Sequence, residues 1–309
     1  MTMFKGVIAG LMVSPSDPIY FFGLRRVKWA ATPAARRNYQ RFVIALLLAM
    51  VFAIWLGLAD FLIDVFDLQD GIELATGVLV VTFAGGILMN LFLDFGCLLF
   101  AINSINGEHI SGRWDLLCLS LLTEDDIIQA KYALAQVRAW RVMVFIRAMR
   151  IVSFIVFLLL LFVVPFIEGD GDDLWVSIAD FFVESPYEAF ISLAILMTFW
   201  GYYLIDPVWR LRALTAVGIA VSARTRRIVF AILLAFAAML AVWFLQAVLT
   251  GLFFWIVSLM FRDSGGGDAA AGLTVWLFFQ SVFIVGTYLF YSSVRDFSLR
   301  KALLWAFRE

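Results

Sequence analysis

Residues 228–261 read IVFAILLAFAAMLAVWFLQAVLTGLFFWIVSLMF, thirty-four positions without one ionisable side chain. A helix that is apolar all the way round must be buried on every side, in a large core or in lipid. At 1.5 Å per residue this one would reach about 50 Å, against a hydrocarbon core of about 30 Å. The expectation is a span over Ile228 to Leu249, a break at Gly251, and a second helical piece from Leu252 to Phe261 dipping into the outer interface. One steeply tilted helix is the other reading of the same run.

The rest of the chain agrees on the solvent. Hydrophobic residues make up 64% of the 309 and charged residues 15%, with a mean hydropathy of +0.97. Soluble domains are roughly half apolar and a quarter charged. Apolar runs of twenty or more exclude a transmembrane barrel, whose segments are about ten alternating residues, and leave helices. Cys97 and Cys118 suggest no disulfide framework. The short apolar stretch Gly6 to Val13, followed by Ser14-Pro15-Ser16-Asp17-Pro18, is a poor signal peptide.

The expected class is an all-α polytopic membrane protein with six transmembrane helices. Residues 1–41 form an N-terminal cytoplasmic or interfacial segment and 42–309 the six-span domain. From Ile19 to Arg41, aromatic residues such as Tyr20, Trp29 and Tyr39 alternate with Arg25, Arg26, Lys28, Arg36 and Arg37. That mixture describes a helix in the headgroup plane, interrupted near Pro33, or a basic juxtamembrane linker. The spans fall at Phe42 to Phe66, Ala75 to Ile102, Val142 to Ile167, Glu188 to Ile205, from Ile228, and Leu273 to Val294. A basic connection, Trp209 to Arg227, separates the fourth from the fifth.

Orientation follows from the basic residues. Seven lie before span one, six between Arg113 and Arg150, five in the 209–227 connection and four from Arg295 onward, so 22 of the 23 Lys and Arg share one side. Acidic residues mark the other: Asp67, Asp70 and Glu73, then Glu168, Asp170, Asp172 and Asp173, then Asp263 and Asp268. Basic loops stay in the cytoplasm, which places both termini there and the chain in a bacterial inner membrane.

The 103–141 connection is unusually rich in signals. A charged turn from Glu108 to Asp115 precedes an apolar piece, Leu116 to Leu122. Thr123 then reads as an N-cap, with Glu124, Asp125 and Asp126 suited to the helix dipole. The following pattern, Ile127, Ile128, Lys131, Tyr132, Leu134 and Ala135, reads as an amphipathic helix running on into span three. Such an elbow either receives force from a soluble partner or is an inert surface turn.

Two stretches carry a family resemblance. Glu108-His109-Ile110-Ser111-Gly112-Arg113-Trp114-Asp115-Leu116-Leu117, with Leu121-Leu122-Thr123 and Ile127 to Lys131, resembles the cytoplasmic segment of type II (export-type) ABC transporter permeases. Ala213-Leu214-Thr215-Ala216-Val217-Gly218-Ile219-Ala220-Val221-Ser222-Ala223-Arg224-Thr225-Arg226-Arg227 is similar to the small-residue, Ser-Ala-basic stretch before span five of that family. The chain departs from the family pattern at His109 and Arg113, where a basic residue and a small hydroxyl residue are usual. The resemblance implies a transport permease, moving substrate outward, that pairs with a second or homologous permease copy. It implies contact with an ABC ATPase subunit through Glu108, Gly112, Arg113, Asp115 and Thr123. The chain has no GxxxxGK[ST] phosphate loop, so ATP hydrolysis would belong to that partner.

Ionisable residues inside spans are costly and are candidates for function. Asp94 and Asn90 lie within span two, and Arg147 and Arg150 near the inner end of span three. Asp94 would pair with an arginine of span three or line a cavity. The two arginines, like Asp60 and Asp64 at the outer end of span one, have the plainer option of reaching water. With one histidine, His109, and two isolated cysteines, no metal, haem or chlorophyll site is expected, and no cofactor. No acid–base constellation suggests catalysis, and nothing suggests nucleic acid as a partner rather than lipid. A non-transporting structural or assembly subunit of a larger membrane complex is the second function class; a lipid-modifying enzyme has no supporting motif.

Overall fold

Long apolar stretches with few breakers become long helices, and here they outlast the expected spans. The structure, a computed structural model, describes residues 34, 37–49, 68–119, 122–167, 180, 182–225, 227–262 and 269–307. Among these, every regular element is a helix: α1 (residues 37–49), α2 (Leu68–Ile102), α3 (Asn106–Ile110), α4 (Arg113–Cys118), α5 (Glu124–Ile167), α6 (Pro186–Arg224), α7 (Ile228–Arg262) and α8 (Ala269–Phe307). Four stretches among the described residues are long and apolar enough to cross a membrane: Phe83–Ile110, Pro186–Arg224, Ile228–Leu259 and Gly272–Phe307. The chain is therefore a helical membrane protein. Most of span one, with Asp60 and Asp64, and most of the expected N-terminal interfacial helix lie outside the described residues, as do the acidic outer residues Glu168 to Asp173.

Two expectations are corrected. The run from Ile228 does not break at Gly251, because α7 continues as one helix to Arg262. A lone glycine costs a helix only about 1 kcal/mol relative to alanine, and lipid offers a broken backbone no substitute hydrogen bonds. The 209–227 connection is not a loop: α6 passes through Asp206-Pro207 and runs to Arg224. Its second half is deeply buried, with Leu211, Ala213, Leu214, Ala216, Ile219 and Ser222 all fully enclosed.

The core is built around that half of α6, which packs on α2, α5 and α8. Leu93 and Cys97 of α2, Met143 and Val144 of α5, Leu211 and Leu214 of α6 and Tyr291 of α8 share one cluster, against which Tyr39, Ile44 and Leu47 of α1 also pack. Small residues let α6 approach α2 closely. A Cβ on Gly218 would sit 2.5 Å from Ala101 Cβ and 3.4 Å from the Leu98 backbone. α7 is more peripheral; it closes on α2 and α6 through Ala231, Ala235 and Met239 and leaves Phe230, Leu233, Phe244 and Trp255 exposed.

Gly218→Ala should therefore lower stability by about 1–3 kcal/mol, as overpacking does. Adding Ala101→Gly removes the clashing methyl and should recover part of the loss. Thermal unfolding of the purified single and double variants checks both.

Candidate functional site

Two constellations stand out, an ionic network inside the helix bundle and the elbow between α2 and α5. The network begins with Pro207. Proline has no N–H, so the carbonyl four residues back, that of Tyr203, loses its helical donor. Arg150 Nη1 of α5 donates to that carbonyl instead. Its Nη2 donates to Asn90 Oδ1 of α2 at 2.8 Å and to Asp206 Oδ2 at 3.3 Å, and its guanidinium lies over the Tyr203 ring, 4.4 Å from the centroid. Helix α6 thus survives its internal proline because a neighbouring helix supplies the missing donor.

Asp206 joins this half to the next. Four residues on, Arg210 Nε reaches Asp206 Oδ1 and Oδ2 at 3.3 and 3.2 Å. Arg210 Nη1 donates to Asp94 Oδ2 of α2 at 2.9 Å, and Nη2 to Gln246 Oε1 of α7 at 2.9 Å. Trp243 Nε1 of α7 donates to the same Asp94 oxygen at 2.7 Å, and the Tyr291 hydroxyl of α8 to Gln246 Oε1 at 2.9 Å. Two carboxylates and two guanidiniums, bridged by amides, a phenol and an indole, tie five helices together with no net charge. Asp94, Arg150 and Asp206 are at most 4% exposed. Ions so far from water persist only when paired and hydrogen-bonded.

Of the sequence candidates, Asn90, Asp94 and Arg150 meet here. Asp94 pairs with an arginine, but with Arg210 of α6 and not with one of span three, because the supposed 209–227 loop is helix facing it. Arg150 does not reach for water; it is 1% exposed. Arg147, one turn earlier, is half-buried. Asp206 and Arg210 fall just past the expected end of span four at Ile205, where the residue before a proline is biased away from helix. Their spacing of four, which suits a helical ion pair, was the available signal that the helix continues.

The elbow is held as firmly. Ser222 Oγ of α6 accepts from the backbone N–H of Ile105 at 3.0 Å and of Asn106 at 2.9 Å, and donates to the Ile102 carbonyl. One hydroxyl thereby binds the turn where α2 ends. Gly112, at φ +67°, links α3 to α4, a conformation that costs L-residues with a Cβ. Trp114 is buried between His109 and Phe307, ring centroids 4.9 and 5.3 Å away. Thr123 is the expected N-cap: its Oγ1 accepts from Asp126 N at 3.2 Å while its own N–H donates to Asp126 Oδ2 at 3.3 Å, a reciprocal cap. The start of α5 is less amphipathic than expected, since Ile127, Ile128, Ala130, Lys131, Tyr132, Ala133, Leu134 and Ala135 are all buried. Elbow, α6 and the end of α8 share that core.

Glu108 turns inward and accepts from Lys131 Nζ at 2.7 Å. Burial holds the Lys131 ammonium below the usual lysine range, and Glu108 pulls it back up. Arg113 and Asp115 are exposed, with Ile110, Leu116 and Leu119 beside them at 67, 68 and 82% exposure. The elbow therefore presents an apolar face with charge among it, on a rigid base.

Ser222→Ala should destabilise by about 1–3 kcal/mol, the cost of leaving buried N–H groups unsatisfied. Glu108→Gln should cost about as much at neutral pH. Loss of the carboxylate lowers the folded-state pKa of Lys131 further below its unfolded value, so the unfolded chain binds more protons. The deficit then shrinks as pH rises toward the ordinary lysine value of about 10.4. Denaturation of each variant between pH 7 and 10 measures both effects. The chain matches no family model, no curated protein and no solved structure.

Proposed function

We propose that the chain is the permease subunit of an export-type ABC transporter, six-spanning, with both termini in the cytoplasm of a bacterial cell, paired with a second permease and driven by a separate ATPase subunit. The observation that carries this reading is the elbow. A docking surface that transmits force needs an exposed face to receive a partner and a stiff connection to the membrane helices. Ile110, Leu116 and Leu119 with Arg113 and Asp115 supply the first. Ser222, Trp114 and the Glu108–Lys131 pair supply the second.

From there α6 runs as one rod from Ser222 back to Arg210, twelve residues or about 18 Å along the axis. Displacing the elbow would pull on the charge network directly. Exchanging partners among Asp94, Asp206, Arg150 and Arg210 gives the bundle a way to hold two arrangements without exposing an unpaired ion to lipid. Asp94, Asn90 and Arg150 would then control the transition, and Arg113, Asp115 and Gly112 the docking.

A second reading, a non-transporting structural subunit, is favoured by one feature. The network's ionic groups bind one another rather than line a cavity, as in a bundle built to stay closed.

Purification from native membranes in mild detergent, with every associated chain identified, separates the two. The transport reading expects an ATP-binding subunit whose ATP hydrolysis is coupled to the permease. Leu116→Asp with Leu119→Asp should release it at unchanged permease abundance, and Asp94→Asn should keep the complex but reduce coupled hydrolysis about tenfold or more. Recovery in fixed stoichiometry with a larger membrane assembly and no ATP-binding subunit would sink the transport reading.

A further inference from the structure

Beside the charge network, α6 and α8 form a small, open cleft lined by Trp209, Arg212, Tyr288, Tyr291, Ser292 and Arg295. Each lining side chain carries an N–H or O–H, that of Tyr291 being given to Gln246, and none is a carboxylate. Arg295 is held by Asp296 at 2.7 Å and reaches Ser292 Oγ at 3.3 Å, but Asp296 is half exposed and such surface pairs are weak. Arg212 has no carboxylate within ion-pair distance among the described residues, and its Nε is buried without a hydrogen-bond partner. The nearby carboxylates Asp94 and Asp206 are occupied by Arg210 and Arg150. A half-buried guanidinium whose Nε has no partner, lining one cleft with a second guanidinium and with hydroxyl-bearing side chains, calls for an anion with several acceptor oxygens.

The surroundings indicate what carries that anion. On α8, Phe278, Val282, Val285 and Leu289 are exposed at helical spacing, and Tyr288 and Ser292 follow on the same face. An apolar stripe thus leads to the cleft, and beyond it α8 turns charged at Arg295, Asp296, Arg300 and Lys301. That change marks a membrane–water boundary, where tryptophan and tyrosine collect and where basic pockets between helices take lipid headgroups. We propose that this cleft binds a phosphoryl group, with the stripe on α8 receiving the acyl chain of the phospholipid that bears it. The site is independent of any ATPase partner.

Native mass spectrometry of the full chain in mild detergent tests this with three probes: phosphatidylglycerol, diacylglycerol with the same chains, and inorganic phosphate. Phosphatidylglycerol should bind, and diacylglycerol should not. Arg212→Gln with Arg295→Gln should weaken phosphatidylglycerol binding about tenfold or more, whereas Arg212→Lys and Arg300→Gln retain it. Ser292→Glu, which adds a carboxylate to the cleft without removing an arginine, should abolish it and covers the case in which the double variant fails to fold. Inorganic phosphate binding lost in the same variants, without lipid binding, keeps the phosphoryl site and assigns it a soluble ligand. The proposal is overturned if phosphatidylglycerol binds equally to wild type, the double variant and Ser292→Glu, if diacylglycerol binds as well as phosphatidylglycerol, or if neither phosphate source binds.

Discussion

Arg210 is the residue on which the arrangement turns. Its guanidinium reaches Asp206 on its own helix, Asp94 on α2 and Gln246 on α7, and lies 5.6 Å from the centroid of the Tyr291 ring on α8. Without it, Asp94 would be a buried carboxylate stripped of its ion-pair partner in a water-poor bundle, a situation far costlier than the pair is worth when intact. Its planar fork makes the geometry possible, since Nε, Nη1 and Nη2 hold donors at fixed, separated positions that lysine's compact ammonium does not span. Arg150 repeats the pattern one helix over, binding Asp206, Asn90 and the carbonyl freed by Pro207. The bundle's apolar packing supplies cohesion in the core; these ions set which helix faces which.

The same helix links the two constellations. Ser222, near the end of α6, fixes the elbow's first turn, and Arg210 fixes the bundle's ionic centre. Between them lie Gly218 and a run of small buried residues that hold α6 tightly to α2. Few loose joints separate the elbow's exposed face from the buried charges. That stiffness suits the proposed transmission of force, and would equally suit a subunit whose task is to hold a larger assembly together.

Much of the fold was legible because lipid leaves little choice. Apolar runs had to be helices, and Thr123 announced the start of α5 through its own chemistry and that of Asp126. Boundaries were less legible. Asp206-Pro207 and the arginines after it look like the end of a span, and Gly251 looks like a break. Both readings treat helix breakers as if water were available to satisfy what they expose. In the structure Arg150 meets the need at Pro207, and α7 passes through Gly251. Asp94 can be singled out from sequence as lying deep in span two, but its partner cannot, because Arg210 reads as part of a basic connection between spans. The elbow's internal pair, Glu108 with Lys131, was foreshadowed only as members of one motif.

Asp94 and Arg210 are energetically one unit holding α2, α6 and α7 in register. A double-mutant cycle on Asp94→Asn and Arg210→Gln, read by reversible unfolding in detergent micelles, measures that directly. Close buried charge pairs couple by about 1.5 kcal/mol or more, so the double variant should be more stable than the sum of the two single losses by at least that amount. Strict additivity, with both single changes tolerated, would contradict it.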